Sequence, residues 1–190
     1  MAKNISLRLE RGELDAKCVE VREKTFLVVK SKDVPEIPFV RLHSSCVFGE
    51  AFGAIDCDCG EQLRSSIDHI QKNGGILIYS WDEGRGLGIG AKIQAIYLQQ
   101  TDGVDTAEAF ARLGHKAEPR DFLDYVAALA TAFDGKTIKL ASNNPAKRVA
   151  LESSGYTIAE RVKLDINPTN DRKRYLEEKQ RVLGHDSDIS

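Results

Sequence analysis

The sequence has 190 residues, of which 42% are hydrophobic and 29% are charged, an ordinary balance for one globular domain with a sizeable core. Its formal net charge of −2 excludes the overall positive field that would attract nucleic acid or an anionic membrane. Because it contains no run of about 18 apolar residues and its first residues lack the apolar segment of a signal peptide, we expect a cytoplasmic protein without nucleic-acid or membrane partners.

The N-terminal part of the chain contains segments rich in Val, Ile and Phe, a composition that favours short strands. They are ISLRL (5–9), the stretch 17–21, TFLVV (25–29) and PFVRLH (38–43). From Gly60 the period changes: Leu63, Ile67 and Ile70 recur at i, i+4 and i+7, which predicts an amphipathic helix that ends near Gly74. GILIY (75–79) then predicts a short buried strand.

The second half alternates predicted helices and strands. A glycine-rich loop, EGRGLGIG (83–90), precedes a helical stretch from Ala91 to about Gln99, and Asp105 with Glu108 predicts a capped helix that stops at Gly114. Further helices are predicted over 121–133 and 145–154, further strands at TIKLAS (137–142) and YTIAERV (156–162), and a solvated helix in the charged tail 170–184. Strands followed by strand–helix alternation predict an α/β fold, a mixed sheet covered by helices.

Three of the four cysteines have a spacing that suits zinc, and in the cytoplasm thiols stay reduced. Cys57 and Cys59 are two residues apart, so that an extended segment would put both on one face, and a loop from Cys46 could supply a third thiolate. Three protein ligands leave the fourth tetrahedral position open for water, whose pKa falls to about 7 on zinc. The alternatives are small buried residues, or a closed structural site completed by Cys18. We expect one catalytic zinc ion per chain and Cys18 in the core.

Two segments have the composition of phosphate-binding loops. Glycines at 84, 86, 88 and 90 lie between a strand and a helix, where backbone N–H groups can approach a polyphosphate and the helix N-terminus adds positive charge. A tight turn alone would explain one or two of them. SNNPAKR (142–148) places Lys147 and Arg148 at another helix start, although an ordinary capped helix has the same pattern. Arg41, His43, Glu118 and Arg120 are, in isolation, surface charges, a core histidine or loop residues.

Together these motifs resemble one enzyme family. RLHSSC (41–46), FGAIDCDCGEQL, EGRGLGIGAK, DTAEAFARLG, PRDF and SNNPAK stand in the order and approximate spacing of GTP cyclohydrolase II, the enzyme that opens riboflavin biosynthesis. The resemblance runs from about Pro38 to the C-terminus and is weak over 1–37. It implies a single domain of that fold over 1–190, with a strand-rich start and a charged tail helix at 170–190.

The resemblance implies a zinc- and magnesium-dependent attack on GTP. Cys46, Cys57 and Cys59 would hold zinc, from which hydroxide adds to C8 of guanine and opens the imidazole ring. Arg120 would attack the α-phosphate and expel pyrophosphate, with Glu118 as its general base, or would only stabilise phosphate charge. The products would be pyrophosphate, formate and 2,5-diamino-6-ribosylamino-4(3H)-pyrimidinone 5′-phosphate.

The resemblance also implies how the nucleotide, GTP or a related guanine nucleotide, is bound and how the protein assembles. Gln62 matches the glutamine that reads the guanine edge, because a side-chain amide offers both a donor and an acceptor. The usual assembly of the family is a homodimer. Contacts with polyphosphate, magnesium or the ribose side are carried over by position to Arg41, Glu83, Arg85, Ser142 and Lys147.

At several positions the chain departs from the family pattern. Ser45 stands where Glu is usual, Asp82 where Gln is usual, and Ile96 where a catalytic tyrosine is usual. Tyr97 is adjacent, but one residue along a helix turns the side chain by about 100 degrees. The alternatives to the full reaction are therefore a variant that releases pyrophosphate but retains the formyl group, serving another pathway, and a catalytically silent zinc protein that binds GTP.

Overall fold

The computed structural model describes residues 3–164 and 166, and these build one seven-stranded sheet. The strands are β1 (Ile5–Leu9), β2 (Gly12–Val21), β3 (Lys24–Lys30), β4 (Phe39–Ser44), β5 (Gly75–Ser80), β6 (Thr137–Leu140) and β7 (Thr157–Arg161). Their order across the sheet is β1-β2-β3-β5-β4-β6-β7. The half from β1 to β5 is antiparallel, and β5, β4, β6 and β7 are parallel. The predicted mixed α/β sheet is confirmed.

Helices cover the sheet and line its carboxyl edge. They are α1 (Val47–Glu50), α2 (Cys59–Asn73), α3 (Gly88–Asp102), α4 (Thr106–Arg112), α5 (Phe122–Ala130) and α6 (Pro145–Ser153), with a 3-10 turn at Glu83–Gly86. None of the helices in the described part of the chain is long and apolar enough to span a bilayer.

Alternation along the strands divides the core into two layers. On β4, Val40 and Leu42 face the layer formed with α5 and α6, which includes Tyr125. Phe39 faces the opposite layer, where Ile70 of α2 packs against the sheet. A smaller cluster joins α3 to α4. Consecutive β4 side chains therefore reach opposite faces of the sheet.

The parallel strands β4, β5 and β6 end at the same edge of the sheet. The loops that follow them carry Cys46, Glu83 and Ser142 respectively. In open α/β sheets, ligands bind in the crevice outside the carboxyl ends of such strands. The predicted site residues are therefore delivered to one edge from three different strands.

The helices follow the sequence signals closely, with one extension. Asp105 caps α4 as predicted, its side chain accepting from the backbone N–H of Glu108. The helix after the glycine loop is longer than the predicted 91–99, because the turn before it continues directly into α3 through Leu87. It ends at Gly103, which takes the left-handed conformation that glycine adopts without strain.

Cys18 is exposed, so its expected place in the core is wrong. It shares a face of β2 with the buried residues Leu14 and Ala16, but the paired part of β1 ends opposite Ala16. Leu14 and Ala16 belong to the core layer that includes Ile70 of α2, whereas Cys18 lies past the end of β1 and outside that layer. The predicted tail helix at 170–184 lies outside the described residues.

Candidate active site

Three thiols meet at the carboxyl edge of the sheet. The sulfur atoms of Cys46, Cys57 and Cys59 lie within 4.8 Å of one another, and those of Cys46 and Cys57 are 3.8 Å apart. Tetrahedral zinc with bonds of about 2.3 Å to sulfur requires a sulfur–sulfur separation of about 3.8 Å. Within the described residues this is the one group of three or more potential metal ligands. The donor set and its spacing fit zinc.

The thiols converge by a different local geometry from the extended segment expected. Asp58 has helical backbone angles, φ −98° and ψ 0°, and α2 begins at Cys59. The turn is possible because α1 and α2 touch at glycines. A Cβ on Gly60 would lie 2.8 Å from the carbonyl carbon of Gly49, and a Cβ on Gly49 would lie 2.6 Å from the sulfur of Cys57.

Lys92 of α3 links the thiols to Glu83. Its Nζ donates to the sulfur of Cys46 at 3.1 Å and to Oε1 of Glu83 at 2.7 Å. Hydrogen bonds from Cys57 and Cys59, with a smaller one from Lys92, lower the pKa of Cys46, while sharing the proton raises that of Cys57. Burial opposes the charge of Lys92, but its two hydrogen bonds together raise its pKa. An ammonium and a thiolate therefore face each other.

Lys92 was not predicted from the sequence, although a lysine one turn into the helix after the glycine loop was a visible signal. Glu83, by contrast, was predicted as a contact for polyphosphate or magnesium. Its carboxylate accepts from Lys92, from the backbone N–H of Val47 at 2.6 Å and from that of Gly84 at 3.0 Å. These three donors join the glycine loop to α1.

A buried network anchors the first cysteine. Glu50 accepts from the backbone N–H of Cys46 at 2.8 Å and from the hydroxyl of Tyr79 at 2.7 Å, and it lies 3.0 Å from Nε2 of His43. His43 is only 2% exposed, and burial lowers its pKa to about 4. The imidazole is therefore neutral at pH 7, with Nε2–H directed at the carboxylate.

Gln62 is held in one orientation by two charged neighbours. Nη2 of Arg41 donates to its Oε1, and its Nε2 donates to Oδ2 of Asp58 at 2.6 Å. Arg41 also donates to the carbonyl oxygen of Ala141 at 2.7 Å. Burial lowers the pKa of Arg41, and the charge of Asp58 opposes that shift. Asp58, between the two cysteines of CDC, is a site residue that the sequence analysis did not identify.

Arg120 and Glu118 form an ion pair near the end of β4. Nε of Arg120 donates to Oε1 of Glu118 at 2.7 Å, and Nη2 donates to Oε2. Burial works against both charges, but the pairing prevails: it lowers the pKa of Glu118 and raises that of Arg120. Nη1 of Arg120 donates to Ser44, two residues before Cys46, so the ion pair adjoins the chain that carries the thiols.

The remaining predicted contacts support the loops around this edge. Arg85 has a left-handed φ of 60°, donates to the carbonyl oxygen of Ala117 and lies 5.3 Å from the ring centre of Phe110. Lys147 donates to the carbonyl oxygen of Leu42 at 2.7 Å. Ser142 accepts from the backbone N–H of Asn144 at 3.2 Å, and the amide of Asn144 reaches Glu118.

The site therefore has two sides. Arg41 and Gln62 lie with the thiols on the α2 face of the sheet. Glu118, Arg120, Ser142 and Lys147 lie towards α5 and α6. Ile96 is one turn after Lys92 on the same face of α3, whereas Tyr97, one residue further, is 63% exposed. As expected from this offset, Tyr97 does not take the position of Ile96.

Comparisons with known proteins point to one enzyme family. The family model for GTP cyclohydrolase II matches residues 3–163. A GTP cyclohydrolase-2 of Helicobacter acinonychis is 35% identical over 97% of this chain and 96% of its own, and one of Campylobacter hominis is 38% identical over 86% and 82%. The riboflavin biosynthesis protein RibBA of Phocaeicola vulgatus is 44% identical over 77% of this chain, which spans only 36% of the length of that protein.

Proposed function

The chain belongs to the GTP cyclohydrolase II family, and from this premise we propose that it hydrolyses GTP. The imidazole ring opens at C8 with release of formate, the triphosphate loses pyrophosphate, and a diaminopyrimidinone ribosylamino 5′-phosphate remains for riboflavin biosynthesis. The observation that carries the proposal is the zinc-sized group of three thiols, together with an Arg120–Glu118 ion pair that is hydrogen-bonded to Ser44, two residues before Cys46.

The cysteines Cys46, Cys57 and Cys59 would hold the zinc ion. When bound there, zinc would supply a water-derived nucleophile at neutral pH. The protein's part is to keep the thiols together and to balance their charge. Glu50 accepts from the backbone N–H of Cys46 and fixes it in place, and the ammonium of Lys92 lies next to the sulfur of Cys46.

Gln62 is the proposed reader of guanine. Because Arg41 takes one lone pair of its oxygen and Asp58 takes one of its N–H groups, the amide cannot flip. One donor and one acceptor remain for a purine edge. This preorganisation lowers the entropy lost when the base binds.

Arg120 is the proposed catalytic contact with the α-phosphate, and Glu118 is its partner. An attack by a neutral Nη would require Glu118 to take the proton of Arg120. The ion pair instead lowers the pKa of Glu118 and raises that of Arg120. Of the two roles implied by the resemblance, stabilisation of phosphate charge by a cationic Arg120 is therefore the one we propose.

The triphosphate would lie along the carboxyl edge. Arg85, Ser142 and Lys147 are proposed to contact it, and Mg²⁺ would enter with the nucleotide, bound mainly by phosphate oxygens as is usual for this ion. Glu83 would act by holding the glycine loop. We propose a homodimer as the assembly.

The test is to incubate the purified full chain with GTP and Mg²⁺ and to measure pyrophosphate and formate separately. We expect equal amounts of both, about one zinc per chain, and loss of zinc and formate in Cys57→Ser. Cys18→Ser, which changes an exposed thiol, is the matched control and should retain both. Pyrophosphate without formate would contradict the full reaction, and bound but unchanged GTP would contradict an enzyme.

A further inference from the structure

A line of hydrogen bonds runs from Arg120 into the layer beneath α5. Nη1 of Arg120 donates to Oγ of Ser44 at 3.0 Å, and this oxygen lies 2.6 Å from the hydroxyl of Tyr125. The hydroxyl of Tyr125 donates to Oδ2 of Asp82 at 2.9 Å. Ser44 ends β4, Asp82 follows β5 and Tyr125 lies in α5, so the line connects three elements at the carboxyl edge.

The chemistry of the groups fixes the direction of every bond in this line. A guanidinium only donates and an ionised carboxylate only accepts. Tyr125 gives its one proton to Asp82, so the proton between Tyr125 and Ser44 belongs to Ser44. Burial and the charge of Asp82 raise the pKa of Tyr125, which keeps the phenol a donor. The bonds thus point the same way and polarise one another.

Tyr125 can act on the reaction only indirectly. Its side chain is 0% exposed, so the nucleotide cannot touch it. Its ring packs edge-on against Phe26, with centroids 5.1 Å apart, and lies 5.4 Å from the ring of Phe122. A ring held on two sides keeps its hydroxyl in one place. Phe122 also lies under the guanidinium of Arg120, 5.1 Å away.

The guanidinium is consequently held on both edges. Its Nε and Nη2 donate to the carboxylate of Glu118, and its Nη1 donates to the hydroxyl oxygen of Ser44. The contact with Glu118 alone would leave Arg120 free to swing with the loop that carries both residues. The contact through Ser44 ties it to the end of a central strand instead.

Asp82 explains why the line has a fixed direction. It is the position at which the family resemblance leads one to expect glutamine. An amide offers both a donor and an acceptor and could therefore bond to the phenol either way round. A carboxylate accepts only, and Lys24, 3.5 Å from its Oδ1, supports its charge. The aspartate at position 82, where the family usually has glutamine, is thus matched by a tyrosine hydroxyl that donates to it.

We propose that Tyr125 and Asp82 are positioning residues for Arg120, which hold its Nη1 through Ser44 so that the guanidinium meets the α-phosphate in one orientation. The proposal rests on the function proposed above. A fully buried tyrosine would thus influence the phosphate step without touching the substrate. The proposal also predicts that Tyr125 and Asp82 act as a unit.

The test compares pyrophosphate release by the zinc-loaded full chain and its Tyr125→Phe variant. Tyr156→Phe is the matched control, because Tyr156 is also buried and its hydroxyl has no hydrogen-bond partner among the described residues. We expect Tyr125→Phe to lower kcat by the order of tenfold to a hundredfold with KM for GTP changed less than about threefold. Tyr156→Phe should keep kcat. Zinc content and melting temperature, measured on each protein, identify any loss of fold.

A double-mutant cycle adds a readout that a purely structural role would not produce. Asp82→Asn, which retains the size of the side chain, should lower kcat in the same direction, and the double variant should be no slower than Tyr125→Phe alone. Additive losses, or a Tyr125→Phe enzyme within about twofold of Tyr156→Phe in kcat, would overturn the proposal. If Tyr125→Phe does not fold, an unchanged kcat of Asp82→Asn overturns it equally. Absence of pyrophosphate release by the unmodified protein would instead refute the proposed function.

Discussion

Gly49 and Gly60 lie backbone to backbone, and a Cβ on Gly60 would stand 2.8 Å from the carbonyl carbon of Gly49 and closer still to its oxygen. This contact lets α1 and α2 bring their cysteines together. We therefore expect Gly60→Ala to cost about 3 kcal/mol of unfolding free energy, because neither neighbour is a flexible side chain that could move aside. The variant should also lose zinc, since Cys59 precedes the altered residue. Urea unfolding and metal analysis measure both effects.

Gly90→Ala is the matched control for this substitution. Gly90 lies in α3, and nothing stands within 4 Å of a Cβ built on it. Alanine there should stabilise the protein by about 0.5–1 kcal/mol through helix propensity. Equal stability of the two variants would show that the contact between the glycines does not hold the helices together.

Lys92 gives a second prediction, which concerns metal affinity. Three thiolates and a Zn²⁺ ion carry a net negative charge, and the ammonium of Lys92 lies 3.1 Å from one of the sulfurs. We expect Lys92→Met to weaken zinc binding by the order of tenfold to a hundredfold, as is typical when a partner of a metal ligand is removed. Competition with a chromogenic chelator gives the Kd. Lys72→Met changes an exposed lysine of α2 and should retain the Kd, and an equal Kd for Lys92→Met would contradict the role of its charge.

The parts of the site that could be predicted from sequence depend on neighbours along the chain. The spacing of Cys57 and Cys59 predicts a pair of metal ligands, and Asp105 with Glu108 predicts a helix start that the structure confirms. Alternation along β2 indicates which side chains share a face. It does not indicate where the covering layer stops, and for this reason the expected burial of Cys18 was wrong.

The parts that could not be predicted depend on contacts between distant segments. Lys92 meets a sulfur 46 positions away, and Tyr125 meets a hydroxyl 81 positions away. No local pattern distinguishes such a lysine from a surface charge or such a tyrosine from a core residue. Asp58 was missed for a different reason: its partner Gln62 is only four positions away, but an extended segment was expected where the chain turns into α2.

Gln62 gives a third prediction, which concerns recognition of the base. Gln62→Leu removes the amide that Arg41 and Asp58 hold in place, and it leaves both charged groups without that partner. We expect KM for GTP to rise by about tenfold or more, because the polar edge of the guanine would be buried without the amide as its hydrogen-bond partner, and an unpaired buried polar group disfavours binding. Steady-state kinetics over a range of GTP concentrations measure the change. Gln71→Leu, on the same helix, is the control, and a KM equal to that of this control would exclude Gln62 from base recognition.

His43 gives a fourth prediction, which concerns stability against pH. Its pKa is about 4 in the folded protein, whereas an unfolded histidine has a pKa of about 6.5. Between these values the unfolded chain binds more protons, so the free energy of unfolding falls as the pH falls through this window. The share of His43 is about 1.5 kcal/mol between pH 6.5 and pH 5, because the slope reaches its full value of about 1.4 kcal/mol per pH unit only once the unfolded histidine is protonated.

The measurement is urea unfolding at several pH values in the presence of a chelator, so that release of metal does not contribute. His43→Gln keeps a donor for Glu50 but cannot titrate, and it should lose about 1.5 kcal/mol less than the unmodified protein between pH 6.5 and pH 5. His115→Gln, at an exposed histidine, should follow the unmodified protein. The same pH dependence in His43→Gln and the unmodified protein would mean that burial of a neutral His43 beside Glu50 is not what makes the fold sensitive to acid.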